Sequence, residues 1–200
     1  MLNKFLNVVI FLFLIPLFGQ NYYQDSIPLP NNLPVVKNFL WGEKGMVRRL
    51  GFAPNSRISE LKTRRKMLQL HQKLGLLTTS LLWGQSYIGY MIKDNPSKYG
   101  KNQDYDLTPY HRSLGYSGFS IYMTSASISL LAPPAYKYSN EFSSMKVHKY
   151  LAWCHFTGMI LTPFLGYAST INPKYLEFHY LAGTFTTLTL TLAMTATFFP

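Results

Sequence analysis

Cysteine is almost missing from this chain: Cys154 is the only one in 200 residues. A single thiol excludes an internal disulfide, and it excludes a covalently attached c-type haem, which needs a CxxCH pair. Carboxylates are scarce too, with 8 Asp and Glu against 19 Lys and Arg and a formal net charge of +11. Charged residues make up only 14% of the chain, against about 25% in ordinary globular proteins. The long apolar stretches hold almost no acids, which argues against proton pumping through a buried carboxylate. There is no Ser-His-Asp set, phosphate-binding loop or zinc cluster, so no catalytic residue is assigned. The basic excess has no nucleic-acid-binding motif beside it. Its lysines and arginines fall between apolar runs, which points to lipid headgroups or an acidic partner and away from nucleic acid.

What the chain does have is aromatic and apolar sequence, with aromatics at 16%. Residues 1–20 hold Lys4, an apolar stretch from Phe5 to Phe18 and the tripeptide GQN. The stretch is short for a membrane span and suits a signal peptide, the alternative being an uncleaved extra helix. Residues 21–65 form a polar, basic segment, first rich in Pro and Asn, then carrying Lys44, Arg48, Arg49, Arg57, Lys62, Arg64 and Arg65. Ser59, followed by Glu60, is a candidate cap for a helix that runs on into the apolar sequence. Cleavage would leave this basic segment outside the cytoplasm, against the positive-inside rule. Retention of the first helix would satisfy that rule.

From residue 66 to residue 200 four runs without Asp, Glu, Lys or Arg follow: Leu74–Ile92, Leu114–Ala135, Tyr150–Ile171 and Phe178–Pro200. Each is long enough to cross a hydrocarbon core of roughly 30 Å as a helix. Their Ser, Thr, Gly and Ala suit close packing of membrane helices. The expected fold is an all-α membrane protein, a four-helix transmembrane bundle, with Pro163 kinking its third helix.

All five histidines lie in this part: His71, His111, His148, His155 and His179. Ionisable groups within or beside a span are costly in lipid and so mark function. Four of them open the four helices. Consecutive spans alternate in direction, so His71 and His148 share one side of the membrane and His111 and His179 the other. Two imidazole pairs at matching depths suit two haem groups, each iron taking one histidine from either face. The residues four positions on, Gly75, Gly115, Ala152 and Gly183, are all small. They lie on the same helical face one turn deeper, where a porphyrin needs room. Small residues also serve plain helix packing.

His155 competes with His148 as the partner of His71. Depth along the apolar runs favours His148, and His155 has Met159 at its +4 position. His155 is then a residue beside the cofactor, part of a quinone site, or a buried histidine bonded to a backbone carbonyl. Lys73, Arg112 and Lys149 adjoin proposed ligands and suit the haem propionates, or they are boundary residues reaching for the membrane surface. Trp83 and Trp153 are candidates for packing on the macrocycles or for ordinary aromatic core.

The motifs HQKLG, HRSLG, HKYLA and HYLAG, whose histidines stand 40, 37 and 31 residues apart, resemble the cytochrome b561 family over about residues 66–200. The resemblance implies two b-type haems held between four helices and electrons passed across the membrane, with His71 and His148 on one haem and His111 and His179 on the other. Eukaryotic members typically have six spans where this chain has four or five, and no ascorbate site is evident. The size and the N-terminal signal suit a version in the bacterial inner membrane, with quinol or another small reductant as one partner and a soluble or membrane redox protein, such as a cytochrome, as the other. The competing expectations are a membrane anchor subunit of a larger redox complex and a small transporter using histidines as proton relays.

Overall fold

The computed structural model describes residues 27–138 and 141–198. The expected signal peptide or extra helix at 1–20 lies outside them. The described residues are largely helical, with no strand among them. Seven α-helices follow in order: α1 (Val35–Trp41), α2 (Met46–Arg49), α3 (Arg57–Asp94), α4 (Pro96–Tyr99), α5 (Thr108–Leu131), α6 (Ser144–Ile171) and α7 (Leu176–Ala196), with a 3-10 turn at Pro173–Tyr175. The four uncharged runs fall within α3, α5, α6 and α7 over most of their length. Among the described residues, no helix is long and apolar enough to cross a membrane.

The chain divides into two compact units. The first joins the segment up to Gln69 with residues from Ser129. α2 closes with Gly51 at a left-handed φ of 72°. The Gly51 N–H donates to Arg48 O and the Phe52 N–H to Val47 O, a pairing that satisfies the last carbonyls and favours glycine at the turn. α3 begins at Arg57, two residues before the candidate cap Ser59. The capping hydroxyl belongs to Ser56, whose Oγ accepts from the Ser59 N–H at 3.2 Å.

The N-terminal segment of this unit meets the end of α5. That helix stops at Leu131 because Ala132 precedes Pro133 and is pushed out of the helical region, and a helix end leaves carbonyls without donors. Here seven consecutive carbonyls each receive a side chain. Lys37 Nζ donates to Ser129, Leu130 and Ala132, and Trp41 Nε1 donates to Leu131. Arg64 donates to Pro133, and Arg57 to both Pro134 and Ala135. Beneath them Glu60, 0% exposed, makes ion pairs with Arg57 at 2.8 Å and Arg48 at 2.6 Å. Part of the basic charge is therefore engaged inside the unit, while Lys44, Arg49, Lys62, Arg65 and Lys66 are exposed.

The second unit runs from Leu70 to Ile128 and from Glu141 onward. Its core holds Leu82, Tyr122, Met159, Leu190 and Met194 from all four long helices. α6 and α7 pack side by side, and at Gly158 an added Cβ would collide with Thr186 Oγ1. Pro163 lies within α6, which continues to Ile171 as one helix. The hydroxyls bond to their own helices: Thr186, Thr187, Thr189, Thr191 and Thr195 of α7 each donate to the carbonyl four residues back. Large apolar side chains face outward, among them Leu161, Phe164, Tyr167, Leu181, Phe185, Leu188 and Leu192.

Candidate metal centre

All five histidines belong to the second unit, and four of them form two ring pairs. His71 of α3 and His148 of α6 have ring centroids 6.3 Å apart with planes at 87°. His111 of α5 and His179 of α7 stand at 6.0 Å and 83°. Edge-to-face aromatic pairs occur at such distances, so spacing alone does not mark a metal site. The hydrogen bonds show which ring nitrogen each histidine has free. His71 Nδ1 donates to Ser125 O at 3.0 Å, His111 Nδ1 to Gln85 O at 3.0 Å, His148 Nδ1 to Ala193 O at 2.9 Å and His179 Nδ1 to Thr162 O at 2.9 Å. A carbonyl only accepts, so each Nδ1 carries the proton and each Nε2 keeps its lone pair. This is the tautomer of a metal-ligating histidine whose outer N–H is fixed by a carbonyl.

The spacing also fits. A metal–imidazole bond of roughly 2 Å puts each ring centre about 3 Å from the metal, hence two coaxial rings about 6 Å apart. Among the described residues no group of three or more His, Cys, Asp or Glu side chains gathers to hold a metal ion. Each pair offers two donors. That is the axial complement of a porphyrin iron, whose macrocycle supplies the other four. The residues present therefore fit a haem at either pair.

The local sequence explains how the rings are held. His111, His148 and His179 lie near the starts of α5, α6 and α7, whereas His71, expected to open its helix, lies fourteen residues inside α3. In each of the four helices the carbonyl that receives a neighbour's histidine comes fourteen residues further on: 71 and 85, 111 and 125, 148 and 162, 179 and 193. Fourteen residues span roughly 21 Å and return to nearly the same helical face. α3 and α5 exchange these bonds reciprocally, and so do α6 and α7. The second hairpin thus repeats the first. His71, Gly75, Leu82, Gln85 and Gly89 correspond to His148, Ala152, Met159, Thr162 and Gly166. In α5 and α7, His111, Gly115 and Tyr122 correspond to His179, Gly183 and Leu190. Each ring pairs with its own equivalent, as a two-fold relation between hairpins produces.

The small residues at +4 meet neighbouring helices. A Cβ on Gly75 would stand 2.9 Å from Met194 Sδ, one on Gly115 2.5 Å from Gln85 Nε2, and one on Gly183 3.5 Å from Thr162 Cγ2; Ala152 is half-buried. The glycines against the rings are Gly89, whose Cβ would lie 2.9 Å from His111 Cε1, and Gly166, whose Cβ would lie 3.0 Å from His179 Cε1. Both stand one turn past the accepting carbonyl. The motif-based reading did not find them, because it sought room for a plate beside each histidine's own helix. Their signal was a glycine in a helix interior, which costs about 1 kcal/mol against alanine and so needs a reason.

His155 pairs differently. Its Nδ1 is 2.8 Å from the Tyr122 hydroxyl, with rings 5.5 Å apart, so the structure brings His148 and not His155 to His71. Lys73, Arg112 and Lys149 are exposed beside their histidines. Trp83 is partly exposed and donates to Thr191 Oγ1 at 3.1 Å, and the exposed Trp153 packs edge-on against Phe156. The chain matches no known protein family, no curated protein and no solved structure.

Proposed function

We propose that the chain is a di-haem b-type cytochrome whose four long helices span a membrane and which carries electrons between a quinol or other small reductant and a redox partner protein. One observation carries the reading: two imidazole pairs at ligation spacing, with all four Nδ1–H groups committed to carbonyls. His71 and His148 would hold one haem and His111 and His179 the other. Haem bound there supplies one-electron redox chemistry. The chain's own work is to fix the imidazoles, exclude water with the Leu82–Tyr122–Met159–Leu190–Met194 core, and tune the sites through hydrogen bonding and burial.

The membrane setting is supported by the uncharged runs and by the outward apolar side chains of α6 and α7. The helices fall short in apolarity through their Ser, Thr, Tyr and Gly content. Their hydroxyls largely bond within their own helices, which removes much of the cost of placing them in lipid. The test is electron paramagnetic resonance of the oxidised, purified protein. Near-perpendicular imidazole planes leave the two iron π orbitals almost equal in energy, so a strongly anisotropic low-spin ferric signal is expected. A high-spin signal, or none, would reject the ligation.

A further inference from the structure

The two hairpins match at many buried positions and differ at several. Gly118 stands where α7 has Thr186, and Ser125, whose Oγ lies 2.9 Å from His71 Nδ1, stands where α7 has Ala193. A further difference is a buried hydrogen-bonded pair. Thr78 of α3 and His155 of α6 are equivalent and both buried, as are Tyr122 of α5 and Leu190 of α7. Where one half of the core has threonine and leucine, the other has a hydrogen-bonded tyrosine and histidine. The Thr78 hydroxyl is satisfied by its own helix, donating to Leu74 O at 2.8 Å. His155 is 6% exposed; its Nδ1 meets the Tyr122 hydroxyl, and its Nε2 is buried without a hydrogen-bond partner. Packing does not require this arrangement, since the equivalent place is filled without it. A buried polar atom without a partner costs about 1–3 kcal/mol, so its presence calls for a role.

The pair lies nearer one histidine pair than the other along the chain. Tyr122 stands one turn before Ser125, the acceptor of His71, and eleven residues from His111. His155 stands two turns from His148 on the same face of α6. An imidazole with one ring nitrogen bonded and the other left unpartnered acts strongly at the low dielectric of an apolar core. Hydrogen bonding and burial near a haem are established levers on its potential.

We propose that Tyr122 and His155 are tuning residues that make the two histidine-pair sites unequal, shifting the reduction potential at His71–His148 and leaving that at His111–His179 alone. The inequality gives electron flow through the chain a preferred order. It rests on the di-haem reading.

The test replaces the pair by its equivalents from the other hairpin, Tyr122→Leu and His155→Thr, singly and together. Both midpoint potentials of the full-length, haem-loaded protein are then read by spectroelectrochemical titration. The expected result is that one potential moves, by on the order of tenfold in its reduction equilibrium or about 59 mV, while the other stays and both haems are retained. If the leucine or threonine variants do not fold, Tyr122→Phe keeps the ring, removes only the hydroxyl and is read in the same way. Two unchanged potentials, or two that shift together with a falling Tm, overturn the proposal and leave a structural role. A wild-type protein without b-type haem removes the underlying reading itself, a result distinguishable from either.

Discussion

An imidazole can give a metal only the nitrogen that its other hydrogen bond leaves free, so the four Nδ1–carbonyl bonds carry more weight here than the four histidines do. The glycines at the rings make this testable. Gly89→Ala places a methyl 2.9 Å from the His111 ring and Gly166→Ala places one 3.0 Å from the His179 ring, rings that their carbonyl bonds hold in place. Each is expected to lower haem content from two per chain towards one, although alanine is otherwise the better helix former by about 0.5–1 kcal/mol. Gly183→Ala meets only Thr162 Cγ2 at 3.5 Å and should leave both haems; haemochrome stoichiometry of the three variants decides. The histidines and their grouping were legible in the sequence because alternating helices fix which ends lie together. The accepting carbonyls were not, since any residue supplies a carbonyl and only register selects Gln85, Ser125, Thr162 and Ala193.

At the scale of elements, uncharged runs bounded by charge marked the long helices, but not what their ends do. The N-terminal basic segment suggested docking of a partner or of lipid; within the unit Lys37 donates to the last carbonyls of α5, and Arg57 and Arg64 donate to the Pro133–Ala135 segment that follows it. That contact joins residues some 70–95 apart in sequence, and no local pattern announces it. Glu60→Ala should cost about 3–5 kcal/mol, because it strands Arg57 and Arg48 without their buried carboxylate. Arg65→Ala, at an exposed position, should stay within about 0.5 kcal/mol. Thermal unfolding and the rate of tryptic cleavage in the first unit separate the two.

The start of α5 has a pH dependence of its own. The Asn102 and Thr108 N–H groups both donate to the Asp106 carboxylate, at 3.0 and 2.8 Å, and hold its pKa below the usual carboxylate range. A lowered folded pKa means the stabilisation is fully present above the ordinary value of about 4 and is lost as pH falls through the lowered one. The Thr108 amide resonance should therefore hold steady down to that range and move below it, and in Asp106→Ala that movement should be absent.

For the whole molecule, the repeat of one helical hairpin by another explains why the sites come as two like pairs. The repeat was hard to read because its halves share few identities beyond histidine, small residues and glycine; buried Leu82 stands for Met159 and Gln85 for Thr162. The central claim is that two such pairs hold two haems independently. It is tested most directly by a reduced-minus-oxidised spectrum with a haemochrome assay on the purified wild type, His111→Ala and His148→Ala. Two b-type haems per chain are expected in the wild type and one in each variant, with a different haem lost in each. No b-type signal in the wild type, or two haems retained in either variant, would contradict it.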